Sequence, residues 1–342
     1  MPIEISALLP TRNRAHFLPK VLEGLERQSL DRTRFEIVAV DDGSSDETPQ
    51  ILEAWRDRLP LRIVRQNHAG ISAAKNLSVF MAQGPILVFL DDDDVAEPDL
   101  LVAHLAAHIA YPDPAIAVLG HTRLKAELAT IPVMHHVTEV GYQLFSYGGM
   151  KAGQLMEYTE FWGGRTSCKR GFLLLHGVFH PDFRFGCEDI ELGWRLSRAG
   201  LKVLYEPRAI TVMIRSLSFD DFCLRSYRQG RSQYFFSELC ADPKIRAYCE
   251  IDVAANAWAR SRRDYASILR KARQLDRLAR LWQSAHIEIP PVLQSALDTA
   301  YREAFFLSRA KGIVDTATIS APRKQQLNNL SLLDCGVSSA SG

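Results

Sequence analysis

The sequence predicts an α/β fold, a mixed but mostly parallel sheet flanked by helices over residues 1–215, followed by an α-helical C-terminal region. Three observations carry that expectation. Short apolar runs alternate with segments of helical period through roughly the first hundred residues. Two of those runs end in clustered carboxylates, which suits strands whose carboxyl ends line a ligand cleft. Beyond about Ser216 the strand-like runs stop and helical spacing continues.

Ile3–Leu9 is an apolar run stopped by Pro10, with Thr11-Arg12-Asn13-Arg14 as a polar loop before a helix carrying Phe17, Val21, Leu22 and Leu25. Phe35–Val40 repeats that design. It runs into Asp41-Asp42-Gly43-Ser44-Ser45-Asp46 and then a helix with Ile51, Leu52 and Trp55. Leu61–Val64 is a third strand, His68-Ala69-Gly70 a turn, and Ser72–Met81 a helix. The fourth strand, Ile86–Leu90, meets four consecutive acids, Asp91, Asp92, Asp93 and Asp94. Like charges at the end of a core strand repel one another and lose hydration unless a cation is bound, which points to a divalent metal held by oxygen. An acidic turn opening a helix is the competing reading, and for Asp94 the two stand level.

Pro98–Ala110 reads as a helix and Ala115–Gly120 as a strand. From His121 to Arg165 periodicity dissolves among six glycines, so this stretch is expected to be mobile or to shape the substrate site. Phe183–Asp189 opens a helix carrying Ile190, Leu192, Trp194, Leu196 and Ala199, closed by Gly200. The helix dipole explains one acid at its start; the pair Glu188-Asp189 behind Gly186 suggests function, with a ligand approaching the glycine backbone closely. Lys202–Tyr205 and Ala209–Ile214 read as two further strands.

With 342 residues and 47% hydrophobic composition the chain can bury a large core, and it divides into 1–215, a helical 216–336 and a disordered tail, 337–342. A net charge of +1 supplies no global field for nucleic acid. The six cysteines form no C-x-x-C pair, so they read as buried thiols of a reducing compartment, with the cytoplasm as the expected location. Met1–Pro10 reads as a first strand instead of a signal peptide, and no apolar run reaches the length of a membrane span. Any membrane contact is then peripheral, at the inner face. Segment 260–282 reads as a basic amphipathic helix, with eight Arg or Lys against two Asp between Arg260 and Arg280. Its apolar stripe suits packing on the catalytic domain, its charges suit an anionic membrane, and the helical region offers a surface for a homo-oligomer. His104 and His108 lack the glutamate of a metalloprotease motif and read as surface or packing residues. No G-x-G-x-x-G follows the first strand and no Walker loop occurs, which argues against a dinucleotide dehydrogenase and a phosphate-loop enzyme.

Five motifs remain in chain order: Pro10-Thr11-x-Asn13, Val40-Asp41-Asp42-Gly43-Ser44-Ser45-Asp46, Gly70-x-x-x-Ala74-Lys75-Asn76, Leu90-Asp91-x-Asp93-Asp94 and Gly186-x-Glu188-Asp189. Together they resemble the inverting family 2 glycosyltransferases of the GT-A, Rossmann-like fold, over roughly Ile3 to Ile214. The resemblance implies a nucleotide-sugar donor, a UDP-sugar, bound by Pro10, Thr11, Asn13, Arg14, Asp41, Asp42, Lys75, Asp91 and Asp92. A carboxylate at Asp41-Asp42 would accept the imide hydrogen of uracil, and Lys75 would lie near base and diphosphate, where the family usually has Arg. Asp93, with Asp91, would ligate Mg²⁺ or Mn²⁺, Asp189 would be the general base, and Glu188 would assist it. The turn 163–167 would border the acceptor, a hydroxyl of a saccharide, lipid-linked or surface-polysaccharide molecule.

Elementary chemistry agrees. Displacing a nucleoside diphosphate from an anomeric carbon needs leaving-group charge neutralised and a base aimed at the incoming hydroxyl, and both tasks suit acids. The sequence departs from the family in two places: Lys75 lacks the fork of Arg, and Thr211–Arg215 contains no metal-binding His, a lack for which water, phosphate oxygens and Arg215 would compensate. Ile86–Val95 also satisfies the short pattern of haloacid-dehalogenase phosphatases, with Asp91 as nucleophile and Asp93 as acid-base, but that motif belongs on a first strand and leaves Asp41-Asp42 and Glu188-Asp189 without a role. A degenerate transferase serving as a binding partner is a third reading.

Overall fold

The computed structural model describes residues 2–334, so the expectation for the tail 337–342 falls outside the described residues. The chain divides into two compact units, Met1–Leu217 and Ser218–Gly342.

The first unit is built on one mixed sheet. Its strands are β1 (Ile5–Thr11), β2 (Phe35–Asp42), β3 (Leu61–Gln66), β4 (Ile86–Phe89), β5 (Asp94–Ala96), β6 (Ile116–Leu124), β7 (Leu155–Met156), β8 (Thr166–Lys169) and β9 (Lys202–Met213). They lie in the order β3-β2-β1-β4-β8-β6-β9-β5, with β7 added beside β9. β3, β2, β1 and β4 are mutually parallel, β8 is antiparallel to both β4 and β6, and β6 runs parallel to β9. The expected mixed, mostly parallel sheet is therefore present.

Every residue of β1 and β2 is buried, as in parallel strands covered on both faces. Side chains alternate between the two faces. Ile5, Ala7, Leu9, Ile37, Ala39 and Val88 pack with α1 (Leu18–Glu26), α2 (Thr48–Ala54) and, farther along the chain, the Leu100–Ala110 helix. Leu8, Val38, Val40, Leu87 and Phe89 pack on the other face with α3 (Ile71–Met81) and with the Arg170–His176 and Glu188–Ser197 helices. In chain order the Leu100–Ala110 helix is α4, the short turns Ala126–Ala129 and Pro132–His135 are α5 and α6, Arg170–His176 is α7 and Glu188–Ser197 is α8.

Three expectations change. Lys202–Met213 is one strand, not two, because β9 keeps pairing with β6 across a register shift from Leu119↔Tyr205 to His121↔Ile210. Pro207, which has no N–H to donate, lies in the slack of that shift. Asp94 opens no helix: it begins β5 and pairs with Met213, while α4 starts at Leu100. The stretch 121–165 holds the end of β6, α5, α6, a π-helical turn at His136–Val140 and β7, so part of it is regular. Of the two readings for His104 and His108, packing holds, since both are buried and share the Ser167 hydroxyl at 2.8 Å each. Burial lowers the pKa of His104 to about 4 and that of His108 to about 3, so both are neutral packing residues.

The second unit begins with a capping box in which Ser218 Oγ accepts the Asp221 N–H (3.1 Å) and Asp221 Oδ2 accepts the Ser218 N–H (3.0 Å). Helices α9 (Phe219–Cys240), α10 (Pro243–Tyr248), α11 (Ile251–Ser261), α12 (Tyr265–Ser284) and α13 (Pro291–Asp334) follow. The basic segment 260–282 is not one helix, since α11 ends at Ser261 and α12 begins at Tyr265. Buried Ala272, Asp276 and Ala279 turn α12 toward α13, where Asp276 accepts from Tyr301 and Tyr265 meets Ser308 at 2.9 Å. The stripe thus packs within its own unit. None of the described helices is long and apolar enough to cross a membrane. Four of the five described cysteines are buried, Cys168, Cys187, Cys223 and Cys249.

Candidate active site

Because β1, β2 and β4 are parallel neighbours, their carboxyl ends deliver Thr11, Asp41-Asp42 and Asp91–Asp94 to one edge of the sheet. Thr11 lies directly opposite Asp41 in the β1–β2 register. Asn13 adopts a left-handed backbone (φ 53°), which Asn tolerates better than most residues. It ties two loops together: its N–H donates to Ser44 Oγ and its Oδ1 accepts the Ser45 N–H, both at 2.9 Å. Arg14 donates its N–H to Thr48 Oγ1 (2.8 Å) and its Nε to Asp92 (2.9 Å).

The two aspartates after β2 have different roles. Asp41 is buried, accepts the Ser44 N–H at 2.9 Å and faces Arg65 at 3.2 Å. Asp42 accepts Gln66 Nε2 (2.7 Å) and the Ala69 N–H (2.8 Å) on one oxygen, His68 Nδ1 (2.8 Å) and the Gly70 N–H (3.0 Å) on the other. Burial alone would raise its pKa; these hydrogen bonds outweigh burial and lower it. The chain already occupies the acceptor capacity of the Asp42 carboxylate. Its imide-accepting role therefore conflicts with the geometry unless one donor gives way.

Each of the four acids after β4 meets a guanidinium. Asp91 pairs with Arg165 (2.9 Å), Asp92 with Arg14 (2.9 Å), Asp93 with Arg215 (3.3 Å) and Asp94 with Arg165 (3.7 Å). Asp94 is buried and accepts from Thr122 (3.2 Å) and Thr211 (3.1 Å), which makes it an internal brace. Burial drives the Asp92 pKa up to about 6 against the pull of Arg14, and that of Asp94 up to about 8 against Arg165. Asp93 is raised by burial and then by the charge of Asp91.

Glu188 and Asp189 open α8 behind two successive left-handed residues, Gly186 (φ 72°) and Cys187 (φ 63°). A Cβ on Gly186 would meet no protein atom within 4 Å, so this glycine supplies backbone freedom beside open space at the helix start. Asp189 Oδ2 accepts the Gly163 N–H and Oδ1 the Ile190 N–H, each at 2.8 Å. Burial and the neighbouring Glu188 raise its pKa, and Lys75 opposes them. Lys75, itself buried, donates to Glu188 Oε1 at 2.9 Å. A Cβ on Gly163 would press on Lys75 Nζ and Asp189, and one on Gly164 would overlap the Asp91 carboxylate. The two glycines are thus the thin wall between Asp189 and Asp91.

All the residues expected from sequence reach this edge, although Asn13, Asp42 and Lys75 are engaged with protein. The sequence singles out Arg165 only as part of the turn 163–167, not as the partner of Asp91. It follows Gly163-Gly164 in a stretch without period, and it sits over the Phe145 ring at 5.2 Å while holding Asp91. Among the described residues no three carboxylate, imidazole or thiolate groups converge as a metal site. Asp91 and Asp93 nonetheless supply hard oxygen donors whose mutual repulsion a divalent ion relieves, so they fit a site completed by phosphate and water. Met213, in β9, stands where a further ligand was sought.

The family model described as Glycosyl transferase family 2 matches residues 6–175. A validoxylamine A glucosyltransferase of Streptomyces hygroscopicus subsp. jinggangensis (strain 5008) is 33% identical over 220 residues, 58% of this chain and 52% of that one. The chain spans about half the length of that relative. Among solved structures, the mannosyltransferase PcManGT from Pyrobaculum calidifontis in complex with GDP-Man and Mn²⁺ aligns with a TM-score of 0.57 and 20% identity, over 92% of this chain and 89% of that one. S. aureus TarS 1-349 in complex with UDP aligns with a TM-score of 0.52 and 16% identity over 92% of each chain. At such identities these likenesses speak to the fold alone, which is GT-A. The family match runs from β1 to α7 and takes in β4 and the four acids after it, which removes the phosphatase reading. The chain belongs to glycosyl transferase family 2 and carries the enzyme domain of that family.

Proposed function

We propose that the protein transfers a sugar from a nucleoside diphosphate donor, a UDP-sugar, to a hydroxyl of a saccharide, free, lipid-linked or in a surface polysaccharide, with inversion at the anomeric carbon. One observation supports it above the others: Asp189, held by the Gly163 N–H, and Asp91, against Gly164, stand on either side of a two-glycine wall. A base and a cation-seeking carboxylate cluster are thereby brought together from α8 and β4.

In the displacement the acceptor oxygen bonds to the anomeric carbon as the bond to the diphosphate oxygen breaks. The proton leaves the hydroxyl for Asp189, whose raised pKa suits it to accept one. A divalent ion held by Asp93 and Asp91 would neutralise charge on the departing diphosphate. Arg14, Arg165 and Arg215 surround these acids and are placed to receive phosphate oxygens. Of the four donors on Asp42, the half-exposed His68 is the one a uracil imide would replace.

The test is a panel of nucleotide sugars with Mn²⁺ and simple saccharide acceptors, read by mass spectrometry. Acceptor-stimulated release of UDP from one donor is expected. Failure to consume any nucleotide sugar would remove the proposal.

A further inference from the structure

Lys75 stands where the resemblance places a cation at the nucleotide, yet its ammonium is spent elsewhere. It is buried on α3, donates to Glu188 Oε1 at 2.9 Å and lies 5.1 Å from the centre of the Phe179 ring. Gly163 abuts it so closely that a Cβ there would lie 2.5 Å from Nζ. The other oxygen of Glu188 is buried and has no hydrogen-bond partner among the described residues.

We infer that Lys75 is a positioning residue for the catalytic carboxylates: it fixes Glu188 as an anion, so that Asp189 alone receives the acceptor proton. The inference rests on the transferase reading. Glu188, buried, and Asp189, half-buried, are adjacent carboxylates at one helix start, and without a counter-charge their repulsion favours a proton held between them. A shared proton would block the base. Lys75 hydrogen-bonds Glu188 directly and reaches Asp189 only through its charge, while Asp189 is held by the Gly163 and Ile190 N–H groups, which carry no titrating proton. The other charges nearby do not replace it. Asp91 faces Lys75 with the same sign as Glu188, and Glu191 of α8 is engaged by Arg195 at 2.6 Å. Burial depresses the Lys75 pKa, but Glu188, Asp189 and Asp91 raise it by more, so it stays charged.

The experiment compares the pH profile of kcat and the calorimetric affinity for UDP in wild type, Lys75→Met, Lys75→Arg and Lys75→Met/Glu188→Gln. In Lys75→Met the acid limb should move up by about one pH unit or more, with UDP affinity changed less than about threefold. Lys75→Arg, which keeps the charge, should hold the limb near its wild-type place. The double variant should return it toward wild type, because the competing carboxylate is gone; it also serves if the single variant does not fold. An unmoved limb with UDP bound about tenfold more weakly would overturn the inference and make Lys75 a nucleotide contact. An inactive wild type would sink the transferase reading itself, and this inference with it.

Discussion

Replacing Asp189 with asparagine is expected to lower turnover by about 100- to 10,000-fold while UDP affinity stays as in wild type, the span that loss of a general base gives. Asparagine keeps the shape of the side chain and can still accept the Gly163 N–H, so the wall beside Asp91 should not move. What disappears is the proton acceptor. The variant should also be no less stable at neutral pH. Burial and Glu188 raise the Asp189 pKa in the folded state above its ordinary 3.8, so its favourable contribution is present at acid pH and is lost as pH rises through the raised value. An uncharged amide avoids that cost. In wild type the rate should fall as pH drops through the same value, and in Asp189→Asn this acid limb should vanish. Turnover within a few-fold of wild type, or an acid limb that stays in place, would show that Asp189 is not the base.

Asp93→Ala should remove the metal dependence of nucleotide binding. Calorimetry with UDP, with and without Mn²⁺, is the measurement. In wild type Mn²⁺ should strengthen binding and a chelator should reverse the gain; in Asp93→Ala the metal should change affinity little, a loss of about tenfold or more, ~1.4 kcal/mol. The substitution also frees Arg215, now 3.3 Å from Asp93, to approach the diphosphate, so metal-free binding should persist or improve. Asp94→Ala cannot stand in for this test. Asp94 braces Thr122 and Thr211 inside the sheet, and its loss would unsettle β5 and β9. An unchanged Mn²⁺ response in Asp93→Ala would place the metal elsewhere or exclude it.

The parts of this protein legible in its sequence are those whose causes are local. β1, β2 and β4 announce themselves as apolar runs, and the carboxylates that end them are adjacent in the chain, so both the parallel core and its working edge follow from short windows. The start of α8 is similar, since Glu188 and Asp189 advertise themselves side by side. What the windows conceal is distant pairing. Arg165 reaches Asp91 across 74 residues and Lys75 reaches Glu188 across 113, and neither cation has a local pattern that marks its target. Asp42 looked free for a ligand because its four donors come from the Gln66–Gly70 turn, which folds back on it. β5 and β8, at three and four residues, are too short to show a period, so nothing in the sequence marks Asp94 as the first residue of a strand, and the metal and helix-start readings stand level there. The apolar stripe of α12 was readable, but its partner α13 was not, because periodicity shows that a face is covered and not by what.

The central claim is a single displacement assisted by one base, Asp189. The most direct measurement is the anomeric configuration of the first-formed product, read by proton NMR on the donor that the panel identifies. Inversion is the result the site geometry predicts. Retention would require a nucleophile on the opposite face of the sugar, by analogy with retaining hydrolases, and would contradict it.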